Sequence, residues 1–166
     1  MKTAYTDGAF RISKWMQRAT AYCDGACRIN NPGLCACAWV LYEDGVEKTH
    51  ESHYLGPEFH SNNFSEYMGL VSLLEFLYTF NIKGVTIFSD SQLLVNQVNG
   101  RWDIKAYNIR TMATKCCGLL LKGSHVLMHV KGHDLNEGNE RADQLCNLCL
   151  DEHMEEYYEL ERKRIT

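Results

Sequence analysis

Four acidic residues stand where folding would draw them together. Asp24 lies in an extended segment and Glu66 in the first turn of an amphipathic helix pattern. Asp90 closes a short apolar strand, and Asp143 falls in the first turn of the last helical stretch. Open sheets place their sites outside the carboxyl ends of strands, which suits Asp90. Carboxylates sharing a cleft repel one another unless divalent cations neutralise them. Mg²⁺ takes hard oxygen ligands and bridges protein carboxylates to substrate phosphates. Two such ions, with Mn²⁺ as a substitute, activate a water and stabilise the leaving oxygen in phosphoryl transfer. Each acid also has a purely structural explanation. Asp24 precedes Gly25 and fits a turn; Glu66, three residues after Asn63, fits a capping box. Asp90-Ser91 could cap the next helix, and Asp143 could complement a helix dipole. Taken singly, none of the four decides between the two explanations.

The elements that would position these acids are legible from periodicity. Residues 20–28, 35–43 and 46–55 read as extended, and Asp44-Gly45 joins the latter two as a hairpin. From Asn63 to Phe80 the period changes: Phe64, Tyr67, Leu70, Val71, Leu74, Leu77 and Tyr78 recur at helical spacing. "VTIFSD" is a strand ending at Asp90, and "SQLLVNQVN" a helix closed by Gly100. A helix over about 106–122 and a strand over 125–130 follow. Asn139 can then cap a final helix that runs past Leu150. Three strands followed by alternating helices and strands predict one mixed sheet. Its first three strands are antiparallel, and the later ones return by helical crossovers.

Composition narrows the class without naming the function. The 166 residues suffice for one domain with a core, and no low-complexity linker divides them. No apolar run approaches transmembrane length, and no signal-peptide core stands at the N-terminus. A cytoplasmic monomer with no membrane partner is expected. Its eight cysteines then read as core residues rather than a disulfide framework. The same holds for Cys146-x-x-Cys149, where zinc is the weaker alternative. Net charge is −4, which argues against a strongly basic nucleic-acid binder. The distribution is uneven: six basic residues and one acid lie between Arg101 and His133, and ten acids and four bases follow from Asp134. A basic middle beside acidic neighbours suits a polyanion held against a metal site.

Local motifs separate the explanations that spacing leaves open. "YCDGACRINNPG", "NNFSEYMGL", "VTIFSDSQLLVNQ" and "KGHDLNEGNERADQL" occur in this order, each supplying one acid. Together, from about Ala21 to Leu150, they resemble the type 1 ribonuclease H family. The resemblance implies an α/β ribonuclease H-like fold, a five-stranded mixed sheet flanked by helices. It also implies endonucleolytic cleavage of the RNA strand of an RNA–DNA hybrid, leaving 3′-hydroxyl and 5′-phosphate ends. Position by position, it implies that Asp24, Glu66, Asp90 and Asp143 hold the metal and that His133 assists proton transfer or product release. Asn31, Ser61, Asn62, Asn63 and Gln92 match positions that contact the hybrid, with Ser61 and Arg28 on a DNA-strand phosphate. Neutral amides suit a 2′-hydroxyl, which both donates and accepts. Two departures stand out. "LCACA" replaces the glycines that usually follow Asn-Pro-Gly, and the basic protrusion of many bacterial members is missing, as in the handle-less branch.

A doubled stretch complicates the first motif. "AYTDGAFRIS" at 4–13 and "AYCDGACRIN" at 21–30 agree at seven of ten positions. Only the second continues into Asn-Pro-Gly and an apolar strand, so Asp24 rather than Asp7 is the expected ligand. Residues 1–18 are expected to be an extension to a domain spanning 19–166. Three rivals remain. A 3′→5′ exonuclease on a related fold would carry Asp-x-Glu in its first strand, which is absent. A non-catalytic nucleic-acid-binding module would not need the full acid set. The chain could also be the nuclease part of a larger replication machine.

Overall fold

The computed structural model describes residues 19–132 and 136–165. The first copy of the doubled stretch, including Asp7, and the loop residue His133 both lie outside the described residues. Three strands open the fold: β1 (Ala19–Arg28), β2 (Leu34–Glu43) and β3 (Val46–Tyr54). They pair antiparallel, β1 with β2 and β2 with β3. The β2–β3 connection is the expected Asp44-Gly45 turn. Both residues take positive φ, 51° and 76°, as a two-residue hairpin of matching twist requires.

Helix α1 (Asn62–Thr79) crosses to β4 (Thr86–Ser89), followed by the short α2 (Gln92–Val98) and by α3 (Tyr107–Gly123). Strand β5 (Val126–His129) and the long α4 (Glu137–Ile165) complete the described chain. The sheet order is β3-β2-β1-β4-β5, with β4 parallel to both β1 and β5. This is the mixed five-stranded sheet expected from the sequence.

Alternation along the strands divides the core between the two faces. Ala21 and Cys23 of β1 and Trp39 and Leu41 of β2 meet Tyr67, Leu70, Leu74 and Leu77 of α1, with α2 and α3 behind. Trp39 is wholly buried, and its indole N–H donates to Ser72 Oγ at 3.0 Å, so the ring pays no unmet polar cost. On the opposite face Ala38 and Val40 pack against Ala142, Leu145 and Cys146 of α4. Ala36 packs there against Cys149 and Leu150. The small residues of "LCACA" therefore seat a helix.

The cysteines follow the core expectation with one correction. Antiparallel register sets Cys27 directly opposite Cys35, Cα atoms 4.1 Å apart, and the two form a disulfide. Local spacing says nothing about cross-strand register, so the pair is not visible in the sequence. The other six cysteines are free. Burial raises the Cys37 and Cys116 thiols to about 12 and pushes Cys146 up strongly, so all three stay protonated.

Two helix starts also differ from expectation. Ser61, not Asn63, caps α1, its Oγ accepting from Phe64 N at 3.1 Å. Asn136 rather than Asn139 takes the capping role at α4, its Oδ1 accepting from Asn139 N at 3.2 Å and its carbonyl from Glu140 N. Both stretches offer several capping side chains, and hydrogen-bond geometry selects among them.

Helix α1 lies on the backbone of β1 because two residues lack side chains. A Cβ on Gly25 would overlap the backbone of Ser65 and Glu66, and one on Gly69 would sit 2.6 Å from the Asp24 carbonyl oxygen. Gly118 of α3 faces open space, with nothing within 4 Å of its would-be Cβ. The same substitution should therefore have opposite signs. Gly69→Ala is expected to destabilise by about 1–3 kcal/mol through overpacking. Gly118→Ala should stabilise by about 0.5–1 kcal/mol through helix propensity. Urea unfolding of the two variants beside the parent checks both; equal signs would contradict the packing described.

Candidate active site

Asp24 sits inside β1, not at a turn, and is only 7% exposed. Its Oδ1 accepts from Gly25 N at 2.8 Å. Burial first, then Asp90, Asp143 and Glu66, push its carboxyl well above the usual range, while the Gly25 N–H opposes the rise. Three acids from three other elements thus bear electrostatically on one buried carboxyl.

Each structural explanation now finds another owner. Glu66 lies beyond the first turn of α1, since Ser61 is the cap and Phe64 occupies the third helical position. Its Oε1 accepts from Asn62 Nδ2 at 3.0 Å, and the Ser91 side chain also hydrogen-bonds it. Burial and Asp90 nonetheless raise this carboxyl. Asp90 follows β4 directly, but Ser91 caps α2 through Leu94 N at 3.2 Å, leaving Asp90 free of that task. In α4 the dipole is complemented by the first-turn acids Glu137 and Glu140, so Asp143, farther along, is not needed there.

Amides orient three of these carboxylates. Asn62 holds Glu66, and Asn139 Nδ2 donates to Asp90 Oδ2 at 3.1 Å. Asn147 Nδ2 donates to Asp143 Oδ1 at 3.2 Å. Among the described residues no lysine or arginine forms an ion pair with any of the four acids. Hard oxygen donors, several negative charges and no protein counter-charge are what a hydrated divalent cation requires. Among the described residues, no three Asp, Glu, His or Cys side chains stand close enough to hold a metal ion alone. Mg²⁺ usually keeps waters and substrate phosphates in its shell, so a looser carboxylate set remains compatible with it. The chemistry of the donors fits the group.

The expected substrate contacts divide. Asn31 Oδ1 accepts from Asn62 N at 3.0 Å, which ties the β1–β2 loop to the start of α1 and gathers Asn31, Ser61 and Asn62 beside Glu66. Gln92 is exposed at the start of α2. Asn63 is half-buried, and its Oδ1 is buried without a hydrogen-bond partner. Arg28 goes elsewhere: it pairs with Asp151 and donates to Asn147 Oδ1 at 3.2 Å, so it points along α4.

Asn139 and Asn147 are the site residues that sequence reasoning missed. Asn139 is 4% exposed, and its polar side chain resembled a helix cap. The available signal was spacing: Asn139, Asp143, Asn147 and Asp151 recur every four residues, one row along a helix face.

With this geometry in view, the comparisons with known proteins converge. The RNase H family model matches residues 16–149. Ribonuclease HI of Halobacterium salinarum is 34% identical over 137 residues, covering 81% of this chain. The chain spans 65% of that relative's length. Ribonuclease H of Francisella tularensis subsp. novicida is 33% identical over 154 residues, covering 85% of this chain and 96% of its own. Among solved structures, RNase H1 from Halobacterium salinarum superposes with TM-score 0.72 over 81% of this chain and 98% of its own, at 34% identity. LC11-RNase H1 in complex with RNA/DNA hybrid gives 0.71 over 82% and 99%, at 27% identity. Motifs, sheet topology and these matches agree, and the chain belongs to the ribonuclease H family.

Proposed function

We propose that this ribonuclease H cleaves the RNA strand of RNA–DNA hybrids endonucleolytically, using divalent cations held on Asp24, Glu66, Asp90 and Asp143. The observation that carries this reading is the buried Asp24 carboxyl, on which acids from three other parts of the fold bear and which no lysine or arginine among the described residues pairs. Bound there, two Mg²⁺ or Mn²⁺ ions would supply an activated water and charge neutralisation at the leaving oxygen. The chain's own residues do the rest. Asn62 and Ser91 fix Glu66, and Asn139 fixes Asp90 Oδ2. Asn31, Ser61 and Asn62 form a polar edge for the hybrid, in which amides can meet a ribose 2′-hydroxyl in either hydrogen-bond sense. His133 would move a proton or help the product leave. The products would carry 3′-hydroxyl and 5′-phosphate ends.

The handle-less assignment is supported by the short connection from Val98 to Tyr107, which leaves space for no extra helix between α2 and α3. Phosphate contacts there would come from Arg101 and Lys105. Lys115, also in this basic stretch, is paired with Glu75 of α1. No described helix is long and apolar enough to cross a membrane. A cytoplasmic monomer carrying residues 1–18 as a dispensable extension completes the proposal.

The direct test incubates the chain with labelled hybrid, duplex RNA and duplex DNA in Mg²⁺ or Mn²⁺. Cleavage confined to the RNA strand of the hybrid is expected, and cleavage of duplex DNA would contradict the reading. Asp90→Asn should stay folded yet lose cleavage, because the amide is nearly isosteric but carries no charge. Asp7→Asn should retain it. An Asp90→Asn protein as active as the parent would remove the metal site from the mechanism.

Stability should report the same site. Asp24 and Glu66 have raised carboxyl groups, so the metal-free folded state binds more protons than the unfolded chain just above the ordinary carboxylate range. Stability should therefore fall as pH rises from that range through the raised values. In a chelator, Asp24→Asn is expected to melt above the parent at neutral pH, with the difference shrinking below the ordinary carboxylate range. Thermal unfolding across a pH series measures it; an Asn variant that melts lower at neutral pH would contradict the electrostatic account.

A further inference from the structure

We propose that Asn147 is a positioning residue for Asp143, and that Arg28 acts by fastening Asn147 rather than by contacting nucleic acid; this rests on the metal-site reading above. Asn147 Nδ2 donates twice, to the Asp143 carbonyl at 3.0 Å and to Asp143 Oδ1 at 3.2 Å. Its Oδ1 accepts from Arg28 Nη2 at 3.2 Å, and its carbonyl accepts from the same nitrogen at 3.3 Å. Arg28 Nη1 donates to Asp151 Oδ1. The chemistry of the partners fixes the amide's direction. A guanidinium only donates, so it must face the amide oxygen, and a carboxylate only accepts, so it must face the amide nitrogen. Arg28 thus determines which end of Asn147 meets Asp143.

Asp143 needs such a tether. It is a half-buried carboxylate that repels Asp24, and free rotation would turn it away from the cluster. A hydrogen bond to Oδ1 holds its plane and leaves Oδ2 for a cation. The tether also joins two acids through their own elements. Arg28 lies four residues after Asp24 on β1, and Asn147 four after Asp143 on α4, so the brace links the strand and the helix that carry them. Partners that orient metal ligands in this way are typically worth about 10–100-fold in metal affinity or activity.

The test measures Mn²⁺ binding to the full chain without substrate, by calorimetry. It also measures kcat and KM on hybrid against Mg²⁺ and salt concentration, with thermal unfolding as a folding control. Asn147→Ala is expected to weaken Mn²⁺ binding about 10-fold and to raise the Mg²⁺ needed for half-maximal kcat similarly. KM for hybrid should stay within twofold, roughly, since no phosphate contact is lost. Excess Mg²⁺ should restore kcat. Arg28→Ala should shift the same quantities in the same direction by less, and it carries the test if Asn147→Ala does not fold. Three outcomes overturn the proposal. One is unchanged Mn²⁺ affinity in the variants while the parent binds and cleaves. Another is an Arg28→Ala protein with raised KM, a flatter salt dependence and parental Mn²⁺ affinity, which would return Arg28 to a DNA phosphate. A parent that binds no Mn²⁺ and leaves hybrid intact would overturn the metal-site reading as well.

Discussion

The site depends first on how closely α1 approaches β1. Two glycines, Gly25 in the strand and Gly69 in the helix, remove the side chains that would hold the two backbones apart. The consequence reaches the chemistry directly, because Gly25 follows Asp24 and the backbone it admits belongs to Ser65 and Glu66. A helix seated one side-chain layer farther out would carry Glu66 away from the buried Asp24. The approach also brings the Ser61-capped start of α1 beside the β1–β2 loop, where Asn31 accepts from Asn62 N. Packing density therefore sets the spacing of charged groups, and stability and site geometry answer to the same contact.

A second constraint follows from the charge gathered there. Each of the four carboxylates accepts a hydrogen bond from a neutral N–H: Gly25 for Asp24, Asn62 for Glu66, Asn139 for Asp90 and Asn147 for Asp143. Neutral donors orient an oxygen without cancelling its charge. An arginine or lysine in any of these places would neutralise the cluster internally and leave less to attract a cation. Arg28, a cation near the cluster, is spent on Asp151 and on the amide of Asn147. Among the described residues no lysine or arginine balances these carboxylates, and divalent ions bound there would supply the missing positive charge.

Much of this was legible before the structure. The Asp44-Gly45 turn is written in two residues that tolerate positive φ, and α1 in apolar spacing long enough to exclude a strand. The acids emerged from four motifs in register rather than from any one spacing. What stayed hidden involves partners distant in sequence. The Cys27–Cys35 pairing depends on strand register, and Arg28 turns to residues more than a hundred positions away. Asn139 looked like a cap because capping and ligand-orienting asparagines are chemically identical, and only Asn136 taking the role revealed the difference. Likewise, the capping and dipole explanations for Glu66 and Asp143 fail only once the first residue of each helix is known.

The central claim is that the four carboxylates share divalent cations with the scissile phosphate. Crystals of the chain with an RNA–DNA hybrid carrying an uncleavable scissile linkage, soaked in Mn²⁺, would test it through anomalous scattering. The account predicts two manganese peaks among Asp24, Glu66, Asp90 and Asp143, both beside the same phosphate of the RNA strand. Hybrid bound with no manganese at those residues, or with manganese held elsewhere on the chain, would contradict it.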